Sequence, residues 1–243
     1  FSSALSLTDF PRSFAVVGHA SSGKTMLCEA MLACSGRIGR MGSIAAGTTA
    51  SDYHASEKQH QISVHASLLT TEWQNRKFNL IDCPGYADFI SEALSALRVG
   101  DFALLVINAV HGLGVGTDAM WDNATLHGLP RMIVINALDK ATASFDQVLA
   151  DARAHFGKNV FPLSIPLDAG PGFRRVLDVL RNEVVTYRPG GDGSYTEVPA
   201  EGELAERVHA LHRELIEYVA ESDDALMERF FEQGVLAEEE LRA

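Results

Sequence analysis

Residues 18–25 read Gly18-His-Ala-Ser-Ser-Gly23-Lys24-Thr25, and this stretch constrains the fold of the 243-residue chain more than any other. The spacing is that of a complete G-x-x-x-x-G-K-[ST] phosphate loop. The apolar run Phe14–Val17 ahead of it predicts a buried strand, and Lys24–Cys34 behind it predicts a helix. Between a strand and a helix, such a loop curls so that backbone N–H groups face phosphate oxygens, with the positive end of the helix beneath them. Gly18, His19, Ala20, Ser21, Ser22 and Gly23 would form the cradle. Lys24 can reach the β- and γ-phosphates, and the Thr25 hydroxyl can bind Mg²⁺.

Apolar runs of strand length alternate with helical patterns along the rest of the chain. The predicted strands are Phe14–Gly18, Ile62–Thr70, Phe78–Asp82, Ala103–Asn108, Met132–Asn136 and Val160–Ser164. The predicted helices are Lys24–Cys34, Asp88–Val99, Thr117–His127, Ser144–Phe156 and Gly172–Arg181. This alternation predicts an α/β fold of the P-loop NTPase class: a mixed, mostly parallel sheet flanked by helices. The runs 62–70 and 78–82 lie close enough to make an antiparallel hairpin. Periodicity fails between Arg37 and Gln61, and a loop of that length inside a domain is functional or mobile. A turn-rich bridge follows at Arg188–Val198. Beyond it Leu204, Val208, Leu211, Leu215 and Val219 recur at helical spacing, and Leu226, Phe230 and Phe231 continue a packing face.

Charge narrows the partners. Of the net −12, the segment 201–243 carries −9, from thirteen acids against four arginines. Phosphate contacts need basic surface, so little direct grip on nucleic acid is expected. No apolar run approaches the ~20 residues of a membrane helix, and no signal peptide is visible. Three cysteines, Cys28, Cys34 and Cys83, form neither a metal spacing nor a disulfide framework, which suits a reducing cytoplasm. The start at Phe1 and the end within a helical pattern at Ala243 are those expected of a piece of a longer protein.

Two further motifs sit where strands end. Asp82-Cys-Pro-Gly85 follows the run Phe78–Ile81, where an acid beside a phosphate loop can hold Mg²⁺ directly or through water. Gly85 can turn its N–H toward a γ-phosphate. Asn136-Ala-Leu-Asp139 follows Met132–Ile135. Asp139 can accept two hydrogen bonds from guanine N1 and N2, which adenine cannot supply. Leaving that carboxylate unpaired penalises the wrong base by roughly 1–3 kcal/mol. Asn136 would brace the loops around the base.

In this order the motifs resemble those of elongation factor G and elongation-factor-G-like translational GTPases. The resemblance runs through Gly18–Thr25, Gly47-Thr-Thr-Ala-Ser-Asp52 with Glu57, Asp82-Cys-Pro-Gly-Tyr-Ala-Asp-Phe89, Asn136–Asp139, Pro162-Leu-Ser-Ile-Pro166, Gly172-Phe173, Glu221-Ser-Asp-Asp-Ala-Leu-Met-Glu228 and Glu238-Glu-Glu-Leu-Arg242. It implies a GTP-binding core at 1–159 that lacks its final strand and helix. An inserted α-rich subdomain would follow at 160–243. It further implies GTP or GDP with Mg²⁺ as ligands, the ribosome as partner, and the ribosomal stalk protein as the contact of the insert. The loop 37–61 would be the first switch, with Ser63 where the family places a metal-binding threonine. Asp82–Asp88 would be the second switch. Thr25, Ser63 and Asp82 are then the metal residues, and Lys24, Gly85 and Tyr86 the catalytic ones.

The chain departs from that pattern at several points. Tyr86 stands where the family has a histidine that places the attacking water, and a phenol cannot become cationic as imidazole can. Ala137 stands where the guanine motif has lysine. Ser21 replaces an acid, and Gln61 replaces a glycine. The Ser-Ala segment that closes the guanine pocket is expected after the insert and is not in these residues, so the isolated piece is expected to bind nucleotide weakly or not at all. Two alternatives stay open: a ribosome- or stalk-binding relative with little or no hydrolysis, and an ATP-using P-loop enzyme, against which Asp139 argues.

Overall fold

Apolar runs ending in polar loops produce five strands of one sheet in the computed structural model, which describes residues 11–157, 160–189, 193–222 and 228. In spatial order they are β2 (Ser67–Trp73), β3 (Arg76–Asp82), β1 (Arg12–Val17), β4 (Phe102–Asn108) and β5 (Arg131–Asn136). β1 runs parallel to β3 and β4, and β4 parallel to β5. β2 alone is antiparallel, hydrogen-bonded to β3 from Ser67↔Asp82 to Trp73↔Arg76. The sheet is thus mixed and mostly parallel, with helices α1 (Lys24–Cys34), α2 (Ala55–His60), α3 (Ile90–Val99) and α4 (Val115–Leu126) following in the same unit. Its core gathers Phe14, Val16, Cys28, Leu80, Leu104 and Val106. Burying such side chains contributes about 1.5–3 kcal/mol each, which is what commits these runs to strands.

The chain divides into two compact units, Phe1–Leu138 and Asp139–Ala243. The division falls after β5, so α5 (Phe145–Phe156) belongs to the second unit. That unit holds an antiparallel sheet in the order β6 (Ser164–Pro166), β7 (Arg175–Asp178), β8 (Glu183–Tyr187), β9 (Tyr195–Pro199), together with α5 and α6 (Glu203–Ser222). Its core is built on Ile165, Leu177, Val179, Val184, Ala200 and Val208. Arg153 on α5 reaches Glu214 on α6 at 2.9 Å.

Five expectations are corrected. The strand expected at 62–70 begins only at Ser67, because the N–H groups of Val64, His65 and Ala66 are taken by the carboxylates of Glu57 and Glu92 and cannot join a ladder. The helix expected at 172–181 is the strand β7, where Leu177 is buried between Ile165 and Val184. The strand expected at 160–164 is β6, at Ser164–Pro166. Within the aperiodic segment 37–61 lies the short helix α2, and within the expected bridge at 188–198 lies the start of β9. Leu226, Phe230, Phe231 and the other matched residues at 223–227 and from 229 onward lie outside the described residues.

Candidate functional site

The parallel strands bring their carboxyl ends to one sheet edge, where ligands of open α/β sheets bind. Val16 pairs with Asp82, Val17 with Leu105, and Asn108 with Asn136. The phosphate loop leaves β1 at this edge. Gly18 has φ 138°, and a Cβ there would lie 2.3 Å from the Val106 carbonyl oxygen. Gly23 has φ 93°, and a Cβ there would lie 2.3 Å from Asn136 Nδ2. Both positions therefore admit only glycine. The Asn136 amide donates to the Ser22 carbonyl at 2.9 Å. One residue earlier, the Asn108 amide donates to the Ser21 carbonyl at 3.2 Å, while its own oxygen accepts the Val110 N–H. Two asparagines at neighbouring strand ends thus hold successive loop carbonyls. Asn136 was legible in the sequence. Asn108 belongs to no motif, and its place at the end of β4 is the signal the sequence holds for it.

Lys24 and Asp82 lie in one buried patch. Lys24 Nζ donates to the carbonyls of Gly18 at 3.0 Å and His19 at 2.8 Å. Burial lowers its pKa, and the nearby Asp82 charge works the other way. Asp82 is 1 % exposed, and among the described residues neither carboxylate oxygen has a hydrogen-bond partner. Burial pushes its pKa up to about 6, against the opposing pull of the Ser51 and Thr25 hydroxyls and Lys24. Those hydroxyls face the carboxylate without completing hydrogen bonds to it. Thr25 Oγ1 stands 3.3 Å from Ser63 Oγ. The three residues expected around a metal therefore share one neighbourhood: Ser63 meets Thr25, and Thr25 faces Asp82.

Gly85 packs on the loop itself. A Cβ at this position would lie 2.4 Å from Lys24 Nζ and 2.6 Å from the Ala20 nitrogen. Tyr86 follows, 43 % exposed, and precedes the 3₁₀ turn Ala87–Phe89. It lines a cavity of about 430 Å³ with His19, Ala20, Ser21, Ser22 and His111. The His19 ring packs on Gly114 and Gly116 at the start of α4. Cys28 and Cys83 are buried and their thiols pushed up, chiefly by desolvation, so neither offers a thiolate.

The guanine motif is divided. Asn136 ends β5 in the first unit, whereas Asp139 opens the second. The Asp139 side chain is 60 % exposed and ion-paired with Lys140 at 3.2 Å. Ala137 between them has φ 63°, a left-handed conformation that a Cβ disfavours.

A loop that can wrap phosphates, joined at a sheet edge to a buried lysine and an acid, defines a P-loop nucleotide-binding domain. The model of the elongation factor Tu GTP binding domain matches residues 11–233. The chain belongs to that family. The crystal structure of a protein from Thermus thermophilus is similar to it with a TM-score of 0.86 and 35 % identity, over 95 % of this chain and 34 % of that one. The chain thus spans about a third of the length of the solved relative. Among the described residues, no helix is long and apolar enough to cross a membrane.

Proposed function

We propose that this chain is the G domain of an elongation-factor-G-like GTPase that binds GTP and GDP with Mg²⁺ and acts on the ribosome during translocation in the cytoplasm. The observation that carries the reading is the buried pair of Lys24 and Asp82 beneath the phosphate loop, with both Asp82 oxygens unsatisfied. A buried carboxylate without partners is costly, and a cation relieves it. Two hydroxyl oxygens 3.3 Å apart, with that carboxylate behind them, suit a hard divalent ion that prefers oxygen ligands. Thr25 and Ser63 would hold Mg²⁺, with Asp82 directly or through water. The ion would offset charge on the β- and γ-phosphate oxygens. Lys24 would exchange its two carbonyl partners for phosphate. The Gly85 N–H would face the γ-phosphate, and Tyr86 would orient water. Asp139 would read guanine, and residues 160–243 would be the insert that meets the ribosomal stalk.

Titration of full-length protein with fluorescent GDP and ADP tests the base assignment. GDP is expected to bind more tightly, and Asp139→Asn to lose that preference by roughly ten-fold or more. Equal affinity of the unmodified protein for the two nucleotides would sink it. Tyr86 favours a second reading, a ribosome-binding relative that hydrolyses GTP slowly, since a phenol cannot carry the positive charge that stabilises phosphoryl transfer. Phosphate release with ribosomes present, at or above background, separates the two.

A further inference from the structure

We propose that two buried carboxylates, Glu29 and Glu57, form a latch on residues 42–65 that holds Ser63 against Thr25 and thereby sets the preference for a triphosphate. The proposal rests on the reading above, in which Thr25 and Ser63 share a metal ion with GTP.

Both side chains are 1 % exposed. Their oxygens are occupied by backbone N–H groups in, and just beyond, the segment 37–61 expected to be the first switch. Glu29 lies one helical turn beyond Thr25 on α1. Its Oε2 accepts from the Gly42 N–H and its Oε1 from the Ala50 N–H, both at 2.6 Å. One carboxylate thus closes a loop at both ends. Inside it, the Thr48 N–H donates to the Ser43 carbonyl at 3.1 Å, and the Gly47 N–H to that of Ile44 at 3.0 Å. Glu57 on α2 performs the same task at the far end. Its Oε1 accepts from Val64 and His65 at 3.0 Å, and its Oε2 from His54 at 3.2 Å. Ser63 is the residue just before those two amides.

The constraints form a circuit. It runs from Thr25 along one turn of α1 to Glu29, through the closed loop to α2 and Glu57, and from there to Ser63 and back to Thr25. Ser51 is tied in by the Ser67 hydroxyl, which donates to its carbonyl at 2.7 Å. Glu92 on α3 adds a third anchor by accepting the Ala66 N–H at 2.8 Å. Carboxylate-to-amide bonds are shorter and stronger than neutral ones, and in a buried site each amide left without its acceptor is expensive. Ser63 is therefore held in place by the protein's own carboxylates. A diphosphate engages less of the metal arrangement than a triphosphate, so loosening Ser63 should weaken the triphosphate selectively. Glu29 and Glu57 are positioning residues, acting through Ser63 and touching no ligand themselves.

The test uses Glu29→Gln and Glu57→Gln in the full-length protein, titrated with fluorescent GDP and a non-hydrolysable GTP analogue across a range of Mg²⁺ concentrations. Backbone amide exchange is followed without nucleotide. In each variant, affinity for the GTP analogue is expected to fall roughly ten-fold at saturating Mg²⁺, and GDP affinity by less than about three-fold. The Mg²⁺ midpoint should rise. Exchange should quicken at Gly42 and Ala50 in the first variant, and at Val64 and His65 in the second. An equal loss for both nucleotides would assign a merely structural role and overturn the latch. So would unchanged exchange at the four amides while nucleotide binding stays intact. An unmodified protein that binds neither guanine nucleotide removes the reading beneath the proposal, and the latch with it.

Discussion

Gln61 has φ 55° at the C-terminus of α2, where its N–H bonds the Glu57 carbonyl. A helix commonly ends on a left-handed residue, and glycine takes that conformation without the Cβ clash that costs other residues roughly 1–2 kcal/mol. The sequence already marked Gln61 as standing in place of a glycine, and the backbone keeps the conformation that a glycine would suit. Gln61→Gly is therefore expected to stabilise the protein by about 1 kcal/mol, less than the full strain because glycine also loses more freedom on folding. Urea unfolding at neutral pH measures this, and a variant less stable than the parent would contradict it. Ala137, at φ 63°, shows the same strain but sits within the guanine motif, where a substitution would confound stability with binding.

At the level of elements, β1, α1, β3, β4 and β5 were legible because each joins a strong apolar period to a clear stop. The phosphate loop could be placed between β1 and α1 for the same reason. Ser144 caps α5 by accepting the Gln147 N–H, as a serine before a periodic run should. The failures have a common cause. Residues 62–66 have strand-like composition, but their amides bond carboxylates on α2 and α3, distant partners that no local pattern reveals. The run 173–180 is apolar at both helical and strand periods, and only its pairing with β6 and β8 decides the outcome. The β2–β3 hairpin was anticipated, but not its turn. Gln74 at φ 48° and Asn75 at φ 61° form a two-residue connection with positive φ at both positions, as a type I′ turn demands. The pair lacks the glycine that marks such a turn in a sequence, although asparagine takes positive φ more readily than most residues. Replacing the pair with Asn-Gly (Gln74→Asn with Asn75→Gly) should raise stability by roughly 0.5–1 kcal/mol and leave nucleotide affinity unchanged, because the turn lies at the opposite end of β3 from Asp82. A loss of stability in thermal melts would show that the strand register had shifted.

At the scale of the molecule, the site is legible as a motif in the sequence, but its energetics appear only once the strands place Asp82. Folding carries this carboxylate into a patch where its pKa rises from the ordinary 3.8 to about 6. The sign of the consequence follows from proton counting. Below about pH 4, Asp82 is protonated in both states and contributes no difference. Between about pH 4 and 6 the unfolded chain releases this proton while the native state retains it, so native stability falls as pH rises. Above about pH 6 the full penalty is present, on the order of 3 kcal/mol for a shift of this size. Mg²⁺ with nucleotide would supply positive charge beside the carboxylate, bring its pKa down and release the proton. The nucleotide-free protein should therefore lose Asp82-linked stability between pH 4 and 6, and Asp82→Asn should flatten that part of the profile. The stabilisation by Mg²⁺ and GDP should be larger at pH 7.5 than at pH 5. Calorimetric melting temperatures of parent and variant at pH 4.5, 5, 6 and 7.5, with and without Mg²⁺ and GDP, measure each of these differences. Superimposable pH profiles for parent and variant would show that Asp82 is not the group that couples protons to folding. A stabilisation by Mg²⁺ and GDP independent of pH would show that the ion leaves this carboxylate untouched.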